Sequence, residues 1–164
     1  MSRPNLAQAE LAKQIGSNPS QVTRAIQALL KANLIYPMEG KLVANFYGWE
    51  KILLAIEYLF PVSVGGIVVG MPTSYGAPPI SNEINPGSDP IPVWPCAKGG
   101  VRGLCVEPLY SDMPKALIEY PDEDFYTLLV LIDALRIGRS REKELGKKYI
   151  LEKLKALKDR VFYA

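Results

Sequence analysis

Near the N-terminus, apolar residues recur at helical spacing in two short segments separated by a turn. The first segment is residues 6–15. Asn5 and Gln8 form a capping-box pattern at its start, and Gly16 is placed to end the helix. In the second, Asn18 is placed to cap a helix whose first position is Pro19. The apolar positions that we expect this second helix to bury are Val22, Ala25, Ile26, Leu29 and Leu30. The pattern predicts two helices joined by a tight turn.

The segment after these helices has the composition of a β-hairpin. Residues 34–36 and 41–44 are strand-like runs, and Pro37 to Gly40 between them contain the proline and glycine typical of a turn. Helical spacing then returns from Trp49 to Phe60 and ends at Pro61. We therefore predict a two-stranded hairpin followed by a connecting helix.

Residues 61–121 are rich in structure-breaking residues, with eleven prolines and eight glycines. They also contain Tyr75, Trp94 and Tyr110 and many aliphatic residues, more apolar material than a flexible linker contains. We expect an irregular but packed region, with short strands at residues 66–69 and 101–106. Its aromatic residues either form ordinary core or line a pocket, and the sequence leaves both interpretations open.

Two helices are predicted at the C-terminal end. The first begins at the acidic residues 122–124 and ends at Gly138, with a wide apolar face over residues 125–135. The second, capped by Ser140, is amphipathic and basic, with an apolar stripe over residues 145–161. A helix that is apolar over more than one stripe needs several neighbours, so these helices are expected to form a homodimer interface.

Together these elements predict a mainly α fold with a small β component, that is, an α+β protein. Residues 1–48 would form one domain. Residues 49–164 would contain the connecting helix, the Pro/Gly-rich region and the C-terminal helices. No apolar run is long enough to span a membrane and no signal peptide precedes the first helix, so a cytoplasmic location without membrane contact is expected.

The charges and the reactive residues narrow the possible functions. The net charge is +2, but the charges are unevenly distributed: residues 1–48 and 136–164 are basic, and the residues between them are acidic. This distribution is typical of a protein that binds a polyanion through selected surfaces. The chain has no histidine, which excludes His-based catalysis and most zinc hydrolase designs. Cys96 and Cys105 are expected to be reduced thiols, with a redox-sensor pair as the alternative. No enzyme activity, cofactor or metal is predicted.

The spacing within the two N-terminal helices has the features of a DNA-binding motif. Ala12 is a small residue in the first helix, Gly16 stands in the turn four residues later, and the β-branched Val22 follows early in the second helix. The run from Gln8 to Arg24 resembles the helix-turn-helix of prokaryotic transcriptional regulators. With the hairpin after it, the first quarter of the chain resembles the winged-helix variety.

This resemblance implies that the second helix enters the major groove of double-stranded DNA, as part of a sequence-specific transcriptional regulator. Arg24 is the best candidate for a guanine contact, while Lys31 and Lys41 are better placed for phosphates. The proposed DNA-binding residues are Ser20, Gln21, Thr23, Arg24, Gln27, Lys31 and Lys41. A solvated polar helix face is the structural alternative.

The resemblance also raises the question of what covers the back of the domain. Winged-helix domains normally have another helix before the pair, and here only residues 1–4 precede the first helix. We expect the helix at residues 49–60, the C-terminal helices or a partner subunit to cover that surface. Two-fold dimers are common among such regulators, so the resemblance also implies a homodimer.

The remaining motifs indicate structural roles more than chemical ones. Gly99 to Gly103 lacks the ending of a phosphate loop, so it predicts a tight turn, and Gly65-Gly66 predicts a bend. The acidic residues 122–124 are interpreted as a helix cap rather than a metal site. Residues 61–121 are expected to receive a protein partner or a small-molecule effector. The alternative function is an antitoxin-type interaction module with autoregulatory DNA binding.

Overall fold

A computed structural model describes the backbone of residues 4–163 and the side chains of residues 8–158. The helices are α1 (Pro4–Gln14), α2 (Pro19–Lys31), α3 (Phe46–Leu54), α4 (Ile56–Leu59), α5 (Met113–Glu119), α6 (Glu123–Ile137) and α7 (Ser140–Tyr163). The strands are β1 (Ile35–Met38), β2 (Lys41–Ala44), β3 (Val64–Pro72), β4 (Pro92–Pro95) and β5 (Val101–Val106). The expected mixed α+β composition, with helix predominating, is confirmed.

The predicted hairpin is confirmed, with a shorter turn than expected. β1 and β2 pair antiparallel from Ile35 opposite Ala44 to Met38 opposite Lys41, so Pro37 lies inside a strand. Glu39 and Gly40 form the turn, and both have positive φ, 49° and 76°. Two-residue hairpin loops favour this conformation because its twist matches that of the strands.

The Pro/Gly-rich region folds into a small barrel. β3 pairs antiparallel with both β4 and β5, and β4 pairs parallel with β5, so the three strands close on themselves. The pairing of β3 with β5 shifts register between Val64 and Ile67, where Gly65 and Gly66 stand. The predicted bend at these glycines is therefore a bulge inside a longer strand.

Helix α6 lies between two hydrophobic cores. On one side Leu131, Ile132 and Leu135 pack with Leu53 and Ile56 from α3 and α4, and with Ile150 from α7. On the other side Leu129 and Val130 pack with the barrel and α5; that core includes Trp94, Val106, Met113 and Leu117. Since every residue from 129 to 135 is buried, α6 finds the neighbours it needs within its own chain.

Several element boundaries differ from the sequence predictions. α1 begins at Pro4, so Asn5 already lies inside the helix and is not its cap. The helix predicted from Trp49 to Phe60 is two helices separated by Ala55, and Ser140 is the first residue of α7. β4 and α5 were not predicted, because the prolines of both segments were interpreted as breakers. In α5 proline occupies the start of the helix, where its missing N–H costs nothing.

Candidate nucleic-acid interface

Helix α2 begins with the local geometry that its sequence predicted. Asn18 has an extended backbone, with φ −119° and ψ 157°, and its side chain accepts a hydrogen bond from the Gln21 amide at 2.9 Å. Pro19 occupies the first helical turn. The Ser17 hydroxyl donates to Gln21 Oε1 at 2.7 Å. These contacts define the start of the helix and hold Gln21 against the preceding turn.

Thr23 lies between the two helices, and its predicted outward orientation was wrong. The side chain is half-buried, and its hydroxyl lies 3.0 Å from Gln8 Oε1 of α1 and 2.9 Å from the Pro19 carbonyl. The hydroxyl is thus engaged within the protein, by the neighbouring helix and by the preceding turn of α2. Thr23 instead joins α2 to α1, and Gln8, which was assigned to a capping box, accepts its hydrogen bond.

The remaining polar side chains of α2 lie on one exposed face. Ser20, Gln21, Arg24, Gln27 and Lys31 are all exposed. Ala25, which was expected to be buried, is exposed as well, while Val22 is 3% exposed and forms the buried contact of the helix. Arg24 Nε donates to the Ser20 carbonyl at 3.4 Å, so its side chain lies along the helix.

The hairpin follows α2 directly. The Leu34 amide donates to the Leu29 carbonyl at 2.9 Å, and Asn33 has a φ of 55°, which turns the chain from α2 into β1. Lys41 stands at the turn end of β2, opposite Met38, and is exposed. The sequence-proposed cations Arg24, Lys31 and Lys41 are thus all exposed, and within residues 8–158 none of them forms an ion pair.

Helix α5 packs against the turn between α1 and α2. Gly16 has a φ of 68°, and a Cβ placed on it would lie 2.9 Å from Ala116 Cβ and 3.0 Å from the Asp112 carbonyl oxygen. The turn therefore needs glycine for its conformation and also for the close approach of α5. We expected the helix at residues 49–60, the C-terminal helices or a partner subunit to cover this surface. It is in part covered by α5, which belongs to the region predicted to be irregular.

Helix α3 supports the hairpin side of the same unit. Asn45 caps α3 by accepting from the Gly48 amide at 3.2 Å, and its side-chain amide donates to the Asn33 carbonyl at 2.8 Å. The Asn45 backbone amide donates to the Leu34 carbonyl at 2.8 Å. One asparagine therefore links the end of α2, the hairpin and α3, so the exposed face of α2 is held on a packed framework.

A buried polar cluster that the sequence analysis missed lies in the core between α6 and the barrel. Trp94 Nε1 and Thr73 Oγ1 donate to Asp133 Oδ2 at 2.6 and 2.9 Å, and Arg136 donates to Asp133 Oδ1 at 2.7 Å. Arg136 also donates to the carbonyls of Phe60 and Glu107. We call Thr73, Trp94, Asp133 and Arg136 the Asp133 cluster. A single carboxylate within the apolar run of residues 128–135 was the signal available in the sequence.

Burial raises the pKa of Asp133, while the charge of Arg136 and the hydrogen bonds from Arg136, Thr73 and Trp94 act in the opposite direction. Thr73, Trp94 and Arg136 all donate to this carboxyl group, and the cluster joins the ends of several elements. Its contacts connect α6 to β4 and to the segments that follow β3, α4 and β5. We interpret it as a structural linkage, and Trp94, at 0% exposure, as core rather than as a pocket residue.

The remaining chemical candidates from the sequence are the two cysteines and the acidic residues 122–124. Cys96 and Cys105 are free and half-buried. Asp122 caps α6 by accepting from the Phe125 amide at 2.9 Å, as interpreted from the sequence. Within the described residues, no group of three potential metal ligands comes together. Among the described helices, none has the length and apolar character needed to cross a membrane.

Comparisons with known proteins assign this chain to no family. No protein-family model matches it, and no curated protein and no solved structure matches it significantly. The residues of this chain and their geometry are therefore the basis for its proposed function.

Proposed function

We propose that this protein is a sequence-specific DNA-binding transcriptional regulator whose residues 1–48 form a winged helix-turn-helix. One observation carries the proposal: a capped helix, α2, presents an exposed polar face with two cations next to a hairpin that bears another cation. The proposal also accounts for the packing of α1, α3, α5 and the hairpin around α2, because a helix that recognises base sequence needs a rigid support. A cytoplasmic location follows from this function.

In this proposal α2 lies in the major groove of double-stranded DNA. Ser20, Gln21, Arg24 and Gln27 face base edges and neighbouring phosphates, and Arg24 has the donor geometry suited to guanine. Lys31 and Lys41 contact phosphates, which position the protein without reading sequence. Thr23, proposed from sequence as a DNA contact, now has a positioning role through Gln8.

The experiment is a gel shift on the DNA upstream of the protein's own gene, at low and moderate salt. We expect retardation that weakens steeply with salt, because bound cations displace counterions from DNA. A variant with Arg24, Lys31 and Lys41 replaced by Gln should lose it. The matched control replaces Lys98, Arg102 and Lys147, which are also exposed, and should retain it. Failure to retard any duplex at low salt, or equal loss in the control, would contradict the proposal.

We also propose a homodimer, with its interface at a different surface from the one that the sequence predicted. The wide apolar face of α6 is buried within the chain. The α7 residues of the apolar stripe from Leu145 to Leu157 are buried or half-buried against α3 and α6. These helices therefore do not need a partner subunit to cover them. α4, the segment after it and β3 instead expose Tyr58, Leu59, Phe60, Val64, Ile67 and Val69. We propose these six residues, here called the α4–β3 surface, as the site for a second copy, because exposed large apolar side chains mark interaction surfaces. The dimer itself is expected because reading two half-sites requires two-fold symmetry. Light scattering of Ile67→Lys with Val69→Lys should report monomers where the parent reports dimers.

The same surface also favours the antitoxin-type alternative. Aromatic and aliphatic side chains exposed together mark protein interaction sites in many proteins. In that case a different protein covers the α4–β3 surface, and DNA binding serves autoregulation. Purification from the native host decides between the two, because a stoichiometric second polypeptide supports the alternative and a pure dimer supports self-association.

A further inference from the structure

An apolar cavity lies where the hairpin, α3, α6 and α7 meet. It has a volume of about 240 Å³. Its walls include Ala44 from β2, Trp49 and Leu53 from α3, Leu128 from α6, and Lys153 and Leu157 from α7. No residue of 61–121, where an effector was expected, lines it. The cavity instead lies between the proposed DNA-binding unit and the C-terminal helices.

The charge inside this cavity is compensated. Lys153 is the charged residue among its lining side chains, and its Nζ lies 2.7 Å from Asp124 Oδ1. Because Asp124 already balances this ammonium group, an anionic ligand would add a second negative charge without a cation of its own, and the other lining residues are aliphatic or aromatic. Since burying an unpaired charge is costly, the lining selects against charged molecules.

The volume defines the size of the occupant. An apolar cavity of about 150 Å³ is enough to hold a benzene-sized molecule. The larger volume here matches two fused aromatic rings or a branched aliphatic chain of similar bulk. We propose that this cavity binds a neutral, apolar small molecule of about that size, held by contact with Trp49, Leu53, Leu128 and Leu157.

The cavity lies between the hairpin and the C-terminal helices, so a bound molecule would affect how these two parts are arranged. Ala44 precedes Asn45, which links the hairpin to α2, while Leu128 and Leu157 belong to the C-terminal helices. An occupant in contact with both parts stabilises one arrangement of the hairpin relative to α6 and α7. If DNA prefers one of these arrangements, the ligand and DNA affect each other's affinity. This regulatory role rests on the proposed function, whereas the binding site itself does not.

Equilibrium dialysis with naphthalene as the probe tests the site directly. We expect saturable binding of one molecule per chain, and binding of 2-naphthoate weaker by about tenfold or more, because Lys153 is already paired with Asp124. Leu157→Trp, which fills the cavity from α7, should abolish naphthalene binding. Leu11→Trp, at a position on α1 that is 41% exposed and outside the cavity lining, is the matched control and should bind as the parent does.

Circular dichroism checks that each variant is folded. If Leu157→Trp does not fold, Ala44→Leu replaces it, because this substitution fills the cavity from the hairpin side. The proposed site is overturned if naphthalene does not bind saturably, or if a folded variant with a filled cavity binds it as well as the parent does.

A separate experiment tests the regulatory role. In a gel shift with and without saturating naphthalene, the affinity for DNA should change by about threefold or more, that is, by roughly 0.7 kcal/mol or more. An unchanged affinity overturns the regulatory role. Naphthalene binding by a protein that retards no duplex retains the site and refutes the proposed function.

Discussion

The backbone of Gly16 lies directly against the side chain of Ala116, so close that a Cβ at Gly16 would be 2.9 Å from Ala116 Cβ. The first residue belongs to the turn of the proposed helix-turn-helix, and the second to a helix one hundred residues later in the chain. Because this contact is between a backbone and a small side chain, neither residue can give way by changing rotamer. The turn between α1 and α2 is therefore held by the tertiary structure as well as by its own sequence.

Gly16→Ala should destabilise the protein more than its backbone conformation alone requires. Gly87→Ala is the matched control, because Gly87 has a similar φ of 63° and no atom lies within 4 Å of the place that an added methyl group would take. We expect the control to cost about 1 kcal/mol for the left-handed conformation, and Gly16→Ala a further ~1–3 kcal/mol for overpacking. Urea unfolding measures both. Equal losses would show that α5 does not constrain the turn.

Thr23→Val should weaken the joint between α1 and α2 while keeping the shape of the side chain. The valine lacks the hydroxyl that lies 3.0 Å from Gln8 Oε1, so a loss of about 1 kcal/mol in the free energy of unfolding is expected. Thr23→Ser keeps the hydroxyl and should lose less in the same urea titration. A valine variant as stable as the parent would remove Thr23 from its positioning role.

Arg24 and Lys41 should differ in what they contribute to DNA binding. Arg24→Ala should reduce discrimination between specific and random duplexes by roughly 1–3 kcal/mol if the side chain reads a base. Lys41→Ala should weaken binding to both duplexes equally and reduce the salt dependence. Affinities measured on the two duplexes at two salt concentrations separate these effects. The division of roles is refuted if both variants lose the same affinity on both duplexes.

Asp133→Asn should be strongly destabilising. The side chains of Asp133 and Arg136 are 2% and 4% exposed. Asparagine replaces one acceptor oxygen by an NH2 group, so buried donors among Trp94, Thr73 and Arg136 lose their acceptor, at a cost of about 1–3 kcal/mol. Asp122→Asn, at the cap of the same helix, removes an exposed carboxylate and keeps a capping oxygen, so it should change stability by less than about 0.5 kcal/mol. Guanidinium unfolding compares the two. Similar small losses would contradict a structural role for the Asp133 cluster.

Asp133 should also change how stability depends on pH. Burial raises its pKa in the folded protein above the value of the unfolded chain, so the folded state holds this proton more tightly. Its contribution to stability is complete below the unfolded pKa of about 3.9 and is lost as the pH rises through the folded pKa. The stability of the parent relative to Asp133→Asn should therefore decrease from about pH 4 upward. A difference that stays constant or grows with pH would show that the donors around the carboxylate outweigh its burial.

The elements that the sequence predicted well are those whose signals are local. Asn18 and Pro19 define the start of α2 through contacts within four residues, and the same holds for Asp122 at the start of α6. The hairpin turn forms where Glu39 is followed by Gly40, which readily adopts positive φ. In each case the partners are near neighbours in the chain, so their geometry can be inferred without knowing the fold.

Sequence alone thus determined the helix pair, the hairpin, the buried character of α6 and the mixed α+β composition. The tertiary structure decided the rest: that α5 covers the turn at Gly16, that Thr23 turns inward to Gln8, that α6 is enclosed by its own chain, and that Asp133 lies among buried donors. These features depend on contacts between residues that are distant in the sequence. Periodicity shows which residues prefer burial, but which partner buries them depends on how the whole chain packs.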